Sequence, residues 1–292
     1  MEAKTTPDEL DRLFDTVVGA VTLRAGDLGR QRDFYEHAIG LAANEDQGER
    51  VVELADAAGR PLIRLDGGRS AGGEPVTVPH TGLFHTAFRY PGRAALGAAV
   101  VRAANAGAAF AGASDHGVSE AVYLDDAEGN GIELYHDRPF DQWPEAEPGR
   151  VGMFTRPLDV QALLRDAAEP EAAATCDVGH IHLMTADVEA ANAFYRDLVG
   201  LSERQRFGDQ ATFLAEGLYH HHLGANTWHS AGAPPAPEDR PGLDSFELRL
   251  RDAASVDAAA ARLEQAGVEV GATESGVTFR DPDRNLVLLR TR

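Results

Sequence analysis

Lysine is almost missing from this chain of 292 residues: Lys4 is the only one, and arginine carries nearly all of the positive charge. With a formal net charge of −20 the chain repels phosphate backbones, so nucleic acid is not an expected partner. A high-salt interior and a GC-rich genome account equally well for such acidity. Cysteine is as scarce. Cys176 stands alone, so neither an internal disulfide nor a thiolate metal cluster can form, and a reducing compartment fits. No apolar run is long enough to span a bilayer. The opening MEAKTTPDELDRLFD has no basic stretch followed by an apolar one, so no secretion signal is expected. These absences lead to the expectation of a soluble cytoplasmic protein with no membrane partner. What remains is globular: 43% hydrophobic and 25% charged residues, over a length that suits one large or two ordinary domains.

The informative feature is internal repetition. AVTLRAGDLGRQRDFYEHAIGL from Ala20 and HIHLMTADVEAANAFYRDLVGL from His180 both read as a strand, an Asp, an amphipathic helix carrying Phe-Tyr, and a Gly-Leu stop. Asp27 and Asp187 stand where a carboxylate caps free helix N–H groups. Phe34-Tyr35 and Phe194-Tyr195 fall on the apolar face, where aromatics at helical spacing pack the core. A second pair, HTAFRYPGRAALGAAVVRAANAG from His85 and SFELRLRDAASVDAAAARLEQAG from Ser245, gives a strand and an alanine-rich helix ended by Gly107 or Gly267. Hairpins around Asp126 and Asp281 close these units.

Ala20 to His180 and His85 to Ser245 are both separated by 160 residues, so the chain reads as one duplicated half. The predicted fold is α+β, with four βαβββ units starting near residues 19, 82, 179 and 243. The expected boundaries are an N-terminal domain over 1–140, a linker over 141–176 with one short helix around Val160 to Asp166, and a C-terminal domain over 177–292.

Repetition also shows where to look for a metal site. At the start of each unit's first strand stand Ala20, His85, His180 and Ser245. Seven residues after their hairpin aspartates stand Glu133 and Leu288. A lone histidine on a strand is more often a hydrogen-bonded core residue than a ligand. Three potential ligands, His85, His180 and Glu133, opposite Ser, Ala and Leu in the other copies, point instead to the two-His, one-carboxylate set of non-haem Fe(II) oxygenases.

The βαβββ repeat, with GHIHLMTADVEAANAFYRDLVGL and DDAEGNGIELY, resembles the vicinal oxygen chelate superfamily of glyoxalases, bleomycin- and fosfomycin-resistance proteins and extradiol dioxygenases. With GLFHTAF, SDHGVSEAVYL and GLYHHHLGANTW, it resembles the bacterial catechol-2,3-dioxygenase or hydroquinone-type ring-cleaving branch. The resemblance covers nearly the whole chain and implies two glyoxalase-like domains whose curved mixed sheets surround a metal cleft. It implies His180 as first metal ligand and His85 and Glu133 as second and third, holding Fe(II), with Mn(II) as the alternative. It further implies His221 as acid/base, with His116 and Tyr123 hydrogen-bonding the substrate oxygen. The stretch from His116 to Glu133 is shorter than the family spacing. The family set normally stands on units three and four, whereas here it is divided between two and three. These units must therefore share a cleft, within the chain or across a homodimer.

The function implied is extradiol cleavage of a catechol or hydroquinone by O₂, with the metal chelating the diphenol and lowering its hydroxyl pKa. His221 would take the substrate proton and return it, its near-neutral pKa suiting both tasks. Competing readings are a glyoxalase-like isomerase or transferase, which usually adds a fourth protein ligand, and a non-catalytic small-molecule binder. At single residues too there are alternatives. On a strand, His220, His221 and His222 would alternate between faces, and a surface cluster competes with the catalytic role. Tyr123 equally reads as a core aromatic, and His116, beside Asp115, as a loop cap. His182 shares the face of His180 and reads as a contact near the site. Asn226 and Trp228 are placed near the cleft only by adjacency, and His37, His80, His136 and His229 form no pattern.

Overall fold

A computed structural model describes residues 17–44, 50–68, 77–146, 150–169 and 173–292. The opening stretch read for a leader, with Lys4, and parts of the linker (147–149 and 170–172) lie outside these residues.

All four units take the order strand, helix, three strands. Unit one runs from β1 (Val18–Arg24) through α1 (Leu28–Phe34) to β2 (Ala42–Asn44), β3 (Val51–Ala55) and β4 (Pro61–Asp66). Unit two comprises β5 (Gly82–Tyr90), α2 (Arg93–Asn105), β6 (Phe110–Asp115), β7 (Ser119–Asp125) and β8 (Gly131–Asp137). The linker adds a two-residue strand β9 (Arg156–Pro157) and the short helix α3 (Val160–Arg165), where one was expected. Unit three comprises β10 (Asp177–Met184), α4 (Val188–Ala193), β11 (Ser202–Phe207), β12 (Ala211–Ala215) and β13 (Leu223–Asn226). Unit four closes with β14 (Gly242–Leu250), α5 (Ala253–Gln265), β15 (Gly271–Thr273), β16 (Gly276–Arg280) and β17 (Leu286–Thr291).

Local chemistry explains the rhyme between units one and three. Asp27 accepts from Arg30 N, and Asp187 from Glu189 N and Ala190 N, satisfying helix-start donors that would otherwise lack partners. Each helix then widens into a π-helical turn, Tyr35–Ile39 or Phe194–Val199, which ends at a left-handed glycine, Gly40 at φ 85° or Gly200 at φ 103°.

The strands assemble across the duplication. Units one and four form an eight-stranded sheet in the order β15-β16-β17-β14-β1-β4-β3-β2. Units two and three form a nine-stranded sheet in the order β11-β12-β13-β10-β5-β8-β7-β6-β9. The middle of the second sheet is the antiparallel pair β10 and β5, so units two and three meet within one chain. A continuous apolar core joins both sheets and the helices, with Val21, Phe88, Ile181 and Phe246 from the strands and Leu96, Tyr195 and Leu263 from the helices. Burial of each such large side chain stabilises the fold by about 1.5–3 kcal/mol.

A different set of ties runs along the chain. Tyr35 Oη donates to Asp126 Oδ2 at 3.0 Å, fastening unit one to the hairpin of unit two. Tyr195 Oη donates to Asp281 Oδ2 at 2.7 Å, fastening unit three to unit four. The Phe-Tyr pairs are thus core residues, as expected, and their phenols each have a buried carboxylate to satisfy them. Backbone pairing couples one with four and two with three, while the Tyr–Asp ties couple one with two and three with four.

Candidate metal centre and its cavity

Register places the site. Across the nine-stranded sheet His180 faces Ala87, Ala87 faces Glu133, and Glu133 faces Tyr123, forming one row over β10, β5, β8 and β7. One step along, His182 faces His85 and His85 faces Gly131. Because strand side chains repeat every second residue, both rows point to the same face of the sheet. Two small residues shape the space around the ligands. Ala87 leaves a gap between His180 and Glu133, and a Cβ at Gly179 would lie 1.7 Å from Tyr135 Oη, whose ring packs 4.9 Å from that of His180.

The donor atoms of His85, Glu133 and His180 all lie within 4.8 Å of one another, and the residues are 5%, 3% and 1% exposed. Glu133 Oε2 is 3.0 Å from His85 Nε2 and 3.2 Å from His180 Nε2. His85 Nε2 is buried without a hydrogen-bond partner despite this approach. Neighbouring donors each about 2.1 Å from one cation at right angles would be about 3 Å apart, so the spacing and the orphaned nitrogen both fit a divalent metal. The protonation states agree. Burial alone would raise the Glu133 carboxyl, but the facing His180 and His85 outweigh it and hold it well below the usual carboxylate range. Burial pushes His180 down to about 4, keeping it a neutral donor. Among the described residues, only three side chains of metal-ligating type form the group.

The centre opens into a cavity of about 440 Å³, whose apolar wall includes Phe84, Ile132, Met153, Phe207, Phe213 and Trp228. All three residues expected around the substrate line it: His116, Tyr123 and His221. The shortened stretch before the hairpin still brings His116 to the site, with its Nε2 2.8 Å from Tyr123 Oη. Its Nδ1 lies 2.9 Å from the carbonyl of Phe154, which can only accept, so Nδ1 carries hydrogen and the Tyr123 hydroxyl donates to Nε2 in the neutral ring. Burial, then the charge of Glu133, raises the Tyr123 phenol well above its ordinary value.

The histidine run departs from expectation in shape. Residues 220–222 form a bend ahead of β13 rather than part of a strand, so strict alternation does not apply. Nor are they a surface cluster, since all three are buried. His221 stacks obliquely on His180 at 4.1 Å between centroids and edges onto Phe213 at 5.0 Å. His222 turns away, stacking on Tyr219 and accepting from Glu216 N through Nδ1. His221 is also not near-neutral. Burial, reinforced by His180 and His220, lowers it well below the ordinary imidazole value.

Other residues fall as follows. His182 lines the cavity and accepts from Asn226 Nδ2 at 3.0 Å, while its ring lies over Gly224, where a Cβ would come within 2.9 Å. Trp228 lines the cavity, whereas Asn226 acts through His182. Sequence reasoning missed Asp137, which accepts from His220 Nε2 at 2.8 Å and from Tyr219 Oη at 2.7 Å. Burial opposes its ionisation, but His220, Arg89 and Tyr219 outweigh it and hold the carboxyl below its usual range. Its position at the end of β8, four residues beyond Glu133, was the one available pointer.

Comparison with known proteins agrees with the fold and the repeat. The family profile described as Glyoxalase/Bleomycin resistance protein/Dioxygenase superfamily matches residues 17–134 and 177–289. The chain is 36% identical over 275 residues to the catechol-2,3-dioxygenase of Bacillus subtilis (strain 168), covering 92% of this chain and 94% of that protein. Over 98 residues it is 34% identical to the manganese-dependent 2,3-dihydroxybiphenyl 1,2-dioxygenase of Geobacillus genomosp. 3, covering 34% of this chain and 28% of that one. Among solved structures, glyoxalase I from Zea mays superposes with a TM-score of 0.56 at 14% identity, over 94% of this chain and 92% of that one. At this identity the last likeness speaks for the fold alone. No helix among the described residues is long and apolar enough to cross a membrane. By a family match in both halves and a full-length relative of such identity, this chain belongs to the glyoxalase, bleomycin-resistance and dioxygenase superfamily.

Proposed function

We propose that this chain is an extradiol-type ring-cleaving dioxygenase that uses Fe(II), with Mn(II) as the alternative metal, to open a small diphenol with O₂. The observation that carries the reading is the convergence of His85, Glu133 and His180, the first two lining an aromatic-walled cavity that His221, His116 and Tyr123 also line. A full-length relative named as a catechol-2,3-dioxygenase supports it.

His85 Nε2, Glu133 Oε2 and His180 would hold the metal, which when bound supplies Lewis acidity toward the diphenol oxygens and the redox activity that O₂ requires. Phe84, Phe213 and Trp228 provide flat apolar surfaces against which an aromatic ring can pack, and they exclude bulk water. His221, neutral through burial, takes the proton of a substrate hydroxyl on Nε2 and later returns it. Tyr123, its proton donated to His116, directs an oxygen lone pair into the cavity and can accept from a second substrate hydroxyl. The described lining includes the carboxylates of Asp125 and Glu133 and neither arginine nor lysine, which favours a diphenol without an anionic substituent.

The reading is tested with protein loaded anaerobically with Fe(II), then exposed to O₂ with catechol, a methylated catechol, a carboxylated catechol and hydroquinone. The expected result is one O₂ consumed per diphenol, with both oxygen atoms in a ring-opened product, and poor turnover of the carboxylated compound. Turnover of a glutathione hemithioacetal without O₂ uptake would overturn the reading in favour of a glyoxalase-like isomerase. Tight diphenol binding without any product would do so in favour of a binding protein.

A further inference from the structure

Behind His221 lies a chain of hydrogen bonds that ends in a buried carboxylate. His221 Nδ1 is 2.8 Å from His220 Nδ1, and His220 Nε2 is 2.8 Å from Asp137 Oδ1. The other carboxylate oxygen, Oδ2, accepts from Tyr219 Oη at 2.7 Å and lies 3.6 Å from Arg89 Nη1. Tyr135 Oη stands 2.8 Å from Tyr219 Oη, so the tyrosine donating to Asp137 has a partner of its own. All of these side chains are buried or nearly so, and none is among the metal-ligating group.

The direction of each hydrogen follows from the donor inventory. An ionised carboxylate only accepts, so His220 must present Nε2–H to Asp137. In its neutral form the His220 ring then has only a lone pair at Nδ1. His221 must therefore donate its own Nδ1–H, which leaves its Nε2 unprotonated and free for the cavity. From these contacts we infer that Asp137 and His220 are positioning residues that fix the tautomer and ring orientation of His221, so that a base rather than a donor faces the substrate. The inference rests on the acid/base role proposed for His221. It goes beyond that role in naming what enforces it. Substrate proton transfer to Nε2 then places the new positive charge on a ring whose Nδ1–H already points at a lone pair backed by a carboxylate.

Asp137→Asn tests this with almost no change in volume. Tyr219 Oη and Arg89 both approach Oδ2 as donors, so the amide oxygen stays on their side and the amide NH₂ turns to His220. His220 then accepts at Nε2, carries hydrogen at Nδ1, and forces His221 to accept there, moving the His221 hydrogen to Nε2. Heteronuclear NMR of the imidazole nitrogens in the full chain loaded with diamagnetic Zn(II) reads this switch without reference to turnover. The expected result is Nδ1–H for His221 in the parent and Nε2–H in Asp137→Asn. In Fe(II)-loaded protein kcat should fall by roughly 10²–10⁴, the range supplied by a positioned acid/base, while KM and metal content hold. Loss of an orienting carboxylate through tautomer reversal has an effect of this order in serine-protease triads.

A folded, metal-loaded Asp137→Asn with the parent tautomer and parent kcat would overturn the inference. So would a loss of activity that tracks melting temperature alone, because that is a structural role. Where Asp137→Asn does not fold, His220→Asn and His220→Phe decide. The asparagine oxygen can replace Nδ1 as an acceptor, so it should keep the His221 Nδ1–H form and retain turnover that phenylalanine loses; equal activity in the two would overturn the inference. Should His221→Ala keep full turnover, the acid/base role fails while the tautomer measurement still stands or falls by itself.

Discussion

The two sheets of this molecule are built from the same repeat, yet among the described residues only one gathers three potential metal ligands. In the sheet of units two and three, His180, His85 and Glu133 stand over a central Ala87. In the sheet of units one and four, the corresponding positions hold Ala20, Ser245 and Leu288, and the place of Ala87 is taken by Glu247. That glutamate fills the gap: its side chain presses on Gly19, where a Cβ would come within 2.7 Å, and it pairs with Arg249 at 2.7 Å and Arg290 at 3.6 Å. One copy leaves room among its donors for a cation, and the other fills that room with an anion whose charge is met by arginines. The same backbone therefore serves as a cradle or as a plug. The choice lies in four side chains.

The largest expected effects come from trying to make the cradle resemble its copy. His85→Ala, Glu133→Ala and His180→Ala should each abolish tight metal binding and turnover, because a three-ligand site with one missing has too few protein donors. Ser245→Ala and Leu288→Ala, at the matching positions, should leave metal content unchanged. Metal analysis after dialysis checks both, and metal retained at the level of the parent would remove that residue from the set. Next, Ala87→Glu places the plug in the wrong sheet. Ala87 is fully buried, and Arg89, two residues along the same strand, is already committed to Asp177 at 2.6 Å. An unpaired buried carboxylate there should cost about 3–5 kcal/mol, read by denaturant unfolding. A neutral outcome would mean that the centre tolerates anions without a metal.

Smaller effects test what the copies share or do not share. Tyr35→Phe and Tyr195→Phe each remove one buried hydrogen bond, to Asp126 and Asp281, and should cost about 1 kcal/mol in either half. A large difference between the two would show that the halves are not equivalent in their helix-to-hairpin ties. The smallest effect concerns Glu120, present only beside the cradle. A hydrogen bond from His136, opposed by burial and aided by Arg93, holds its carboxyl at about 2. Its folded value is depressed, so its contribution is present above its ordinary pKa of 4.5 and fades as pH falls from there toward about 2. Its partners Arg93 and Arg138 are 28% and 29% exposed, so solvent screening should hold the contribution to less than about 1 kcal/mol. Glu120→Gln should flatten the acid limb of a melting-temperature series by that amount.

Much of this was legible in the sequence because duplication turns one chain into two aligned copies. The interval from Ala20 to His180, repeated from His85 to Ser245, exposed three candidate ligands at positions that the other copies fill with Ala, Ser and Leu. Helix starts at Asp27 and Asp187 and stops at Gly40 and Gly200 were local, and local chemistry reads directly. What could not be read was set by contacts between distant segments. Asp137 meets His220 across 83 positions, and no periodicity encodes such a meeting. The histidine run was misread as a strand because its bend depends on the turn at Gly217, φ 70°, which only the folded chain reveals. The near-neutral pKa expected of His221 failed for the same reason: burial is a tertiary property.

A single metal held in one sheet, between units two and three of the same chain, is what the proposed function requires. Anomalous diffraction from crystals of the metal-loaded chain tests it most directly. The account predicts one peak per chain, about 2.0–2.2 Å from donor atoms of His85, Glu133 and His180, and none in the sheet of units one and four. A peak on other side chains, or one completed by a residue from a second chain, would contradict it.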